Sequence, residues 1–225
     1  MREQFPLPIS AMFRSGISGY VKNVVPLTAA AAITIAVFGF FRFWAQVAIN
    51  NGQTFQSIVF DLVGLVLAGT IALPWYGYAL DAARGKPIDI AGPWRSGRQF
   101  AAQFVCAIFF WAAFLLGLRY LAGIPSILAT LFYGFYGYVV ADRAAQGGLR
   151  ALGTSVRLGT KRRVALFAIV ALFGAFNLLA AIPLGYAVSA LTVVLSLALL
   201  TATASITLVG GACLYDVLTD RLGER

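Results

Sequence analysis

The stretch from Val164 to Tyr215 reads VALFAIVALFGAFNLLAAIPLGYAVSALTVVLSLALLTATASITLVGGACLY and carries no charged side chain in 52 residues. Four further uncharged stretches precede it, at Val24–Phe41, Leu62–Leu80, Gln99–Leu118 and Tyr120–Ala141. A helix needs about 20 apolar residues to cross a bilayer core of about 30 Å. These stretches therefore predict a membrane protein that crosses the bilayer several times.

The composition favours helical spans. Hydrophobic residues make up 60% of the chain and charged residues 11%, against about 25% charged residues in soluble domains. The stretches are continuously apolar, whereas the strands of a membrane barrel alternate in polarity. The start, MREQFPLP, lacks the pattern of a signal peptide, so we expect the first apolar segment to be retained.

Several kinds of chemistry are excluded by residues that the sequence lacks. There is no histidine, which rules out Ser-His-Asp and Cys-His nucleophiles and removes the commonest metal ligand. Lys22, Lys86 and Lys161 all lie outside the apolar stretches, so no span carries a Schiff-base lysine. We interpret Cys106 and Cys213 as packing residues. We therefore expect no enzyme activity, no cofactor and no metal site.

Turn residues divide the apolar stretches into six spans. Pro183 and Gly185 interrupt the 52-residue run, and Gly123 and Pro125 separate the third span from the fourth. The sequence thus predicts an all-α bundle of six transmembrane helices in one integral membrane domain, residues 1–225. The predicted spans lie near 25–47, 58–81, 100–120, 124–142, 164–182 and 188–215.

The distribution of lysine and arginine predicts the orientation. With both termini on one side of the membrane, that side carries 15 of the 17 basic residues, and the opposite side carries only Arg42 and Arg119. We call these the basic side and the far side. Basic loops are cytoplasmic, so both termini are expected in the cytoplasm. Residues expected to face anionic lipid of the inner leaflet are Arg14, Lys22, Arg95, Arg98, Arg150, Arg157, Lys161, Arg162 and Arg163.

The three longer segments of the basic side share a design. Before the first span, apolar residues from Ile9 to Val24 recur with helical spacing, while Ser10, Arg14, Ser18 and Lys22 form an opposite polar row. Similar segments precede the third and fifth spans. This pattern predicts three repeats of a basic interfacial helix and a transmembrane hairpin, at residues 8–81, 88–142 and 145–216. The alternative is that inward loops are basic and rich in tyrosine in any such protein.

One segment resembles a known motif. Asp142–Leu158 reads DRAAQGGLRALGTSVRL, in which Ala151, Leu152, Ser155 and Leu158 give the pattern Ala-Leu-x-x-Ser-x-x-Leu. It resembles a bacterial group that includes YciC-like membrane proteins and the membrane domain attached to some glycerophosphodiester phosphodiesterases. The resemblance implies a helical membrane fold in a bacterial inner membrane. It implies no phosphodiesterase activity, because the chain shows no soluble catalytic domain.

Charged residues near the spans allow two interpretations. Arg42 and Asp61 flank the first far-side loop and are expected at similar depth, as a gate or proton site. Alternatively, Arg42 extends to the membrane surface and Asp61 caps a helix, which we favour. Asp81, Asp142 and Asp216 lie at the basic-side ends of spans, where we expect structural pairing with arginines.

Polar residues inside the last two spans also allow two interpretations. Ser196 and Thr203 share one face of the sixth span, and Asn177 lies among small residues of the fifth. They would line a polar path in a transporter. More often such residues bond helix carbonyls and permit close packing, and we favour packing.

The sequence therefore favours a non-enzymatic scaffold or accessory subunit in envelope or lipid-related processes. The alternative is a small transporter or lipid-translocating protein. Expected partners are anionic membrane lipids and another membrane protein or a second copy of the chain, and no nucleic acid.

Overall fold

The computed structural model describes residues 8–120, 123–143, 147–160, 162–186 and 188–221, without the side chains of Tyr186 and Arg221. Within these ranges all regular secondary structure is helical. The α-helices are α1 (Ile9–Lys22), α2 (Val24–Asn50), α3 (Thr54–Ile71), α4 (Leu73–Ala83), α5 (Gly97–Tyr120), α6 (Ile124–Tyr133), α7 (Tyr136–Asp142), α8 (Gly148–Leu158), α9 (Arg163–Leu178), α10 (Ile182–Tyr186) and α11 (Ala190–Arg221). Short 3-10 helices cover Pro93–Arg95 and Leu179–Ala181.

In the part of the chain that the structure describes, six helical segments are long and apolar enough to cross a membrane, which confirms the predicted all-α, multi-pass architecture. They are Val24–Asn50, Thr54–Ile71, Gly97–Tyr120, Ile124–Asp142, Arg163–Gly185 and Ala190–Asp220. The number of spans does not test whether the chain consists of three repeats, so the repeats stay a prediction.

The 52-residue apolar run is divided later than its proline predicts. We expected Pro183 and Gly185 to form the turn, but the chain is helical from Ile182 to Tyr186, and α11 begins at Ala190. Pro183 is the second residue of α10. A proline in the first turn of a helix removes no helical hydrogen bond, so it can begin a helical turn as readily as it ends one.

The segment before the third span differs from the predicted interfacial helix. Only a single 3-10 turn forms, at Pro93–Arg95, and it stops at Ser96. The Ser96 hydroxyl accepts a hydrogen bond from the backbone N–H of Gln99 at 3.4 Å. Because this contact caps the first turn of α5, Ser96 marks the start of the span and cannot continue a helix from Pro93.

The fourth span is interrupted at Gly134 and Phe135, and Ser155 of α8 satisfies the backbone there. Its hydroxyl donates to the Phe132 carbonyl at 3.0 Å and accepts from the Phe135 N–H at 3.1 Å. Backbone groups at membrane depth have no water to bond, so this serine replaces bonds that the interruption removes. All four residues of the Ala-Leu-x-x-Ser-x-x-Leu pattern, from Ala151 to Leu158, are buried.

The described chain groups into two compact units. The first contains residues Met1–Ala31, Tyr78–Asp89 and Leu158–Arg225, and the second contains Ala32–Gly77 and Ile90–Arg157. Each unit therefore draws on separated parts of the sequence.

In the first unit α1 packs along α11 through its small residues. Gly16 lies so close to α11 that an added Cβ would collide with the Ile206 carbonyl, and Gly19 lies against Val209. Phe13 extends the contact to α9, where its ring lies 5.2 Å from that of Phe173. We expected the apolar face of α1 to rest in the membrane interface, but the side with Gly16 and Gly19 is held by protein.

In the second unit α5 packs against α3 and α6. Buried Gln103 donates its side-chain amide to the Gly69 carbonyl of α3 at 2.8 Å. Ser126 of α6 donates to the Phe114 carbonyl of α5 at 2.6 Å. These side-chain bonds to helix carbonyls join the spans in the way polar residues do in membrane helix bundles.

The contact of α1 with α11 predicts an engineered disulfide. The Ser15 Oγ lies 2.9 Å from the Cys213 Sγ. In the variant Ser15→Cys, the introduced thiol and the thiol of Cys213 should therefore form a disulfide on mild oxidation. Mass spectrometry of the digested protein would detect the linked peptides. We expect Ser15→Cys combined with Gly16→Val to lose most of the cross-link, because the added side chain displaces α1. Ser18→Cys, on the exposed side of α1, is the control and should not cross-link to Cys213.

Candidate functional site

Two arginines converge on one carboxylate in the second unit, and we call Arg42, Asp61 and Arg119 the far-side cluster. The Arg42 Nη1 lies 3.3 Å from the Asp61 Oδ1, and the Arg119 Nη2 lies 3.2 Å from the Asp61 Oδ2. The Asp61 side chain is 11% exposed, against 45% for Arg42 and 29% for Arg119. Asp61 is therefore the buried centre of the cluster.

Helix geometry brings Arg42 and Asp61 together. Arg42 precedes the end of α2 by eight residues and Asp61 follows the start of α3 by seven. At about 1.5 Å per residue, both lie about 10–12 Å from the loop that joins the two helices. Arg119 is the next-to-last residue of α5 and reaches Asp61 through its long side chain.

A polar row continues the far-side cluster along α2 toward the loop. The Arg42 Nη2 donates to the Gln46 Oε1 at 3.4 Å, and the Gln46 Nε2 donates to the Asn50 Oδ1 at 3.1 Å. The three residues are spaced by four, so they lie on one face of the helix. This row lets the Arg42 guanidinium extend toward water while one of its nitrogens stays on Asp61.

The chemistry of the far-side cluster is electrostatic. Each oxygen of the Asp61 carboxylate contacts a different guanidinium group, one from α2 and one from α5. The cluster therefore joins α2, α3 and α5 through two ion pairs. This arrangement favours a structural role over acid–base chemistry. The Arg42 side chain is partly exposed and is also paired with Asp61. Asp61 is the eighth residue of α3 and does not cap it, as we had expected. A role as a gate or proton site stays a prediction.

Sequence reasoning placed Arg42 with Asp61 but missed Arg119. The signal was available, because the predicted topology leaves Asp61 as the one acidic residue on the far side and Arg42 and Arg119 as its two basic residues. Charged side chains at the membrane boundary lose part of their hydration, and pairing with an opposite charge lowers that desolvation cost.

The polar residues of the last two spans mostly bond to helices. The Asn177 Nδ2 donates to the Thr207 Oγ1 at 3.3 Å, which joins α9 to α11. Thr203 donates to the Leu200 carbonyl of its own helix at 3.4 Å. In the described part of these two spans, the buried Asn177 Oδ1 and Ser196 Oγ have no hydrogen-bond partner.

Of the acidic residues at basic-side ends of spans, Asp216 has a defined ion pair. The Arg84 Nη2 lies 2.6 Å from the Asp216 Oδ1, and the Arg84 Nε donates to the Oδ2 at 3.1 Å. This two-point pair fastens the turn after α4 to α11. Asp216 thus pairs with an arginine, as we expected, and that arginine belongs to a turn. Asp81 and Asp142 are half-buried at the ends of α4 and α7.

The residues predicted to face anionic lipid are mostly exposed. Arg14, Lys22, Arg95, Arg98, Arg150 and Arg157 are exposed, and Arg162 and Arg163 are half-buried. Lys161 lies outside the described residues. The exposed side chains of this set can contact an anionic surface.

Comparisons with family models, curated proteins and solved structures find no match to this chain. The resemblance of Asp142–Leu158 to YciC-like proteins therefore stays a prediction. Among the described residues, no group of three histidine, cysteine, aspartate or glutamate side chains is arranged to hold a metal ion. The function has to be argued from the geometry of the chain itself.

The far-side cluster predicts an order of destabilisation. Asp61→Asn leaves two arginines facing each other and should cost on the order of 2 kcal/mol, less than a fully buried pair because the arginines are partly exposed. Arg119→Ala should cost less, and Arg42→Ala least, because Arg42 is the more exposed arginine. Unfolding of the purified protein in detergent, followed by circular dichroism, measures the order.

Arg98→Ala is the matched control for the two arginine variants. Arg98 is exposed, and its removal should leave the unfolding midpoint unchanged. Wild-type stability of Asp61→Asn, or a larger loss for Arg42→Ala than for Arg119→Ala, would contradict Asp61 as the centre of the cluster.

Proposed function

We propose that this multi-pass membrane protein is a non-enzymatic scaffold or accessory subunit in envelope or lipid-related processes of a bacterial cytoplasmic membrane. The observation that carries the proposal is the exposed cationic row of α1, fixed in place by the packing of α1 on α11. A scaffold needs a rigid surface with a defined chemical preference, and this row provides one.

The row supports an anionic partner surface because of its charge and its rigidity. Arg14 and Lys22 are exposed, while Met12, Gly16 and Gly19 of the same helix are buried. Each lysine or arginine near an anionic leaflet contributes about 1 kcal/mol of attraction. The positive-inside distribution of the loops supports placing this row at the cytoplasmic leaflet.

Large apolar surfaces support the accessory role. In α2 and in the span Arg163–Gly185, only 17% of the residues in the most apolar 18-residue stretch are buried within the chain. Phe40 of α2 and Leu172 of α9 are among the exposed large side chains. Such faces suit lipid, and they also suit a second membrane protein or a second copy of this chain.

The polar groups in the spans support a fixed bundle more than a transport path. Asp61 holds two arginines, and Gln103, Ser126 and Thr203 donate to helix carbonyls. Coupled transporters usually keep a charged residue near the middle of the membrane. The predicted spans have their charges near their ends, so transport is the second candidate.

One observation favours that second candidate. The Asn177 Oδ1 and the Ser196 Oγ are buried without a hydrogen bond, and buried polar atoms usually have a partner. A polar solute or water passing between α9 and α11 would satisfy them. The experiment on function therefore has to measure flux directly.

The test is a flux assay combined with site-specific cross-linking in cells. Purified protein is reconstituted into vesicles that hold a fluorescent phospholipid and a small trapped dye. We expect lipid exchange and dye release to match protein-free vesicles, because Gln103, Ser126 and Thr203 of the spans donate to helix carbonyls. In cells, a photoreactive amino acid at Val170 or Leu172, both exposed on α9, should give one adduct of the same identified membrane protein, or of a second copy.

Buried Ile169 of the same helix is the matched position for cross-linking and should give no adduct. Flux above the protein-free level that is lost in Ser196→Ala or Asp61→Asn would replace the scaffold with a transporter. Absence of flux together with absence of any adduct from the exposed positions would also contradict the accessory role.

A further inference from the structure

A groove of about 790 Å³ lies in the first unit, between the polar side of α1 and the turn that follows α4. Three cations line it: Arg14 and Lys22 from α1, and Lys86 from the turn. Ser15 and Ser18 add hydroxyl groups to the same lining. Among the residues that the structure describes, the lining contains no aspartate or glutamate, so its described side chains carry a formal charge of about +3 at neutral pH.

The α1 wall presents its donors at regular intervals. Arg14, Ser18 and Lys22 are spaced by four residues, which places successive residues about 6 Å apart along one face of the helix. The Ser18 hydroxyl thus lies midway between two long cationic side chains. Both side chains can reach a group of atoms above Ser18, so this wall suits a compact anion with several acceptor oxygens.

The opposite wall is built by a helix-ending turn that fixes Lys86. The Gly85 N–H donates to the Ala82 carbonyl at 3.3 Å, and the Lys86 N–H donates to the Asp81 carbonyl at 2.9 Å. Gly85 has a φ of 66°, the left-handed conformation that such a turn requires and that glycine adopts without strain. The backbone of Lys86 is therefore held in one position beside α1.

Both walls are fastened to α11. The α1 wall is held by Gly16 against Ile206 and by Ser15 beside Cys213. The turn is held by the ion pair of Arg84 with Asp216. Because one helix anchors both walls, the cations of the groove are preorganised, and little conformational entropy is lost when an anion binds.

The cations of the groove lack internal compensation. Among the residues that the structure describes, none of Arg14, Lys22 and Lys86 forms an ion pair. Like charges held close together repel, so an anionic ligand relieves the repulsion as well as accepting hydrogen bonds. A phosphate group, with several oxygens and at least one negative charge, matches cations and hydroxyls that approach from two walls.

The surroundings of the groove favour a phosphate attached to a lipid. Asn23 of the lining is followed at once by α2, the first span. Val21, Val24 and Val25 beside it are exposed, Val25 at 76%. Apolar side chains next to a cationic groove can contact an acyl chain while the cations bind the headgroup, whereas a soluble phosphate would use only the cations.

We propose that this groove is a binding site for the phosphate group of an anionic lipid headgroup. The inference deepens the proposed function, on which it rests only for placing the groove at an anionic leaflet. A phosphate also occurs in soluble anions, so the shared chemistry is phosphate recognition by Arg14, Lys22 and Lys86. The experiment has to separate the two sources.

The test measures lipid retention by native mass spectrometry of the full chain. The protein is reconstituted in nanodiscs of phosphatidylcholine with one-fifth phosphatidylglycerol, then released in mild detergent. We expect one phosphatidylglycerol to stay bound in preference to phosphatidylcholine. Lys86→Ala and Arg14→Ala should each lower retention about fivefold. Inorganic phosphate at millimolar concentration should not displace the lipid.

Two variants separate a built site from surface charge. Arg98→Ala removes an exposed cation that is predicted on the same membrane side but lies outside the groove. It lowers only the general attraction to anionic lipid, so retention should fall much less than in Lys86→Ala. Gly85→Ala keeps all three charges but strains the turn that positions Lys86, and it should lower retention several-fold. Size-exclusion chromatography checks that each variant remains folded.

Each outcome decides the proposal. Equal losses for Arg98→Ala and Lys86→Ala, or retention that never distinguishes the two lipids, would overturn it. Displacement of the lipid by inorganic phosphate would support phosphate recognition at the groove and identify a soluble anion as its ligand. Lipid retention in a protein that also shows flux would leave the site standing while the scaffold role fails.

Discussion

The bilayer core contains no water, and this constraint accounts for the partners that most polar groups in the spans find within the protein. A backbone group that loses its helical partner has to find another within the protein, at a cost of several kcal/mol if it fails. Ser155 shows the consequence most directly, because its hydroxyl bonds both sides of the interruption in the fourth span. Asp61 shows it for charge, since two arginines surround one buried carboxylate.

The same constraint separates the two kinds of charged surface in this chain. Far-side charges are few and mutually paired, so they hold helices together. Cations on the basic side are numerous and mostly exposed, so the exposed ones can contact anionic groups of other molecules. Part of that surface lies on α1, which packs on α11 through Gly16 and Gly19. The cations of α1 are therefore held in fixed positions. The proposed scaffold role and the phosphate groove both depend on this rigidity.

The six spans could be predicted because length and hydropathy alone decide whether a helix can cross lipid. Their interruptions were harder to predict. Pro183 reads as a helix breaker, yet in the first turn of a helix it costs nothing, and only the position of the neighbouring turns decides which role applies. The prediction of an interfacial helix before the third span was wrong for a related reason, since Ser96 could continue a helix or cap the next one.

The candidate sites were predictable to the extent that sequence distance reflects spatial distance. Arg42 and Asp61 are joined by a hairpin, so their pairing follows from helix length. Arg119 comes from another helix, and only the charge inventory of the far side pointed to it. The groove could not be predicted, because Lys86 meets α1 through a glycine turn and an ion pair from Arg84 to Asp216, both of which depend on tertiary packing.

The most direct measurement of the central claim is the labelling of single cysteines in intact cells. In a background of Cys106→Ala and Cys213→Ala, Asn51→Cys reports the first far-side loop and Lys86→Cys reports the turn after α4; both positions are exposed. With a membrane-impermeant maleimide, the account predicts labelling of Asn51→Cys from outside and of Lys86→Cys only after the membrane is opened. Labelling of Lys86→Cys from outside, or of both positions from the same side, would contradict the crossing pattern from which the rest is argued.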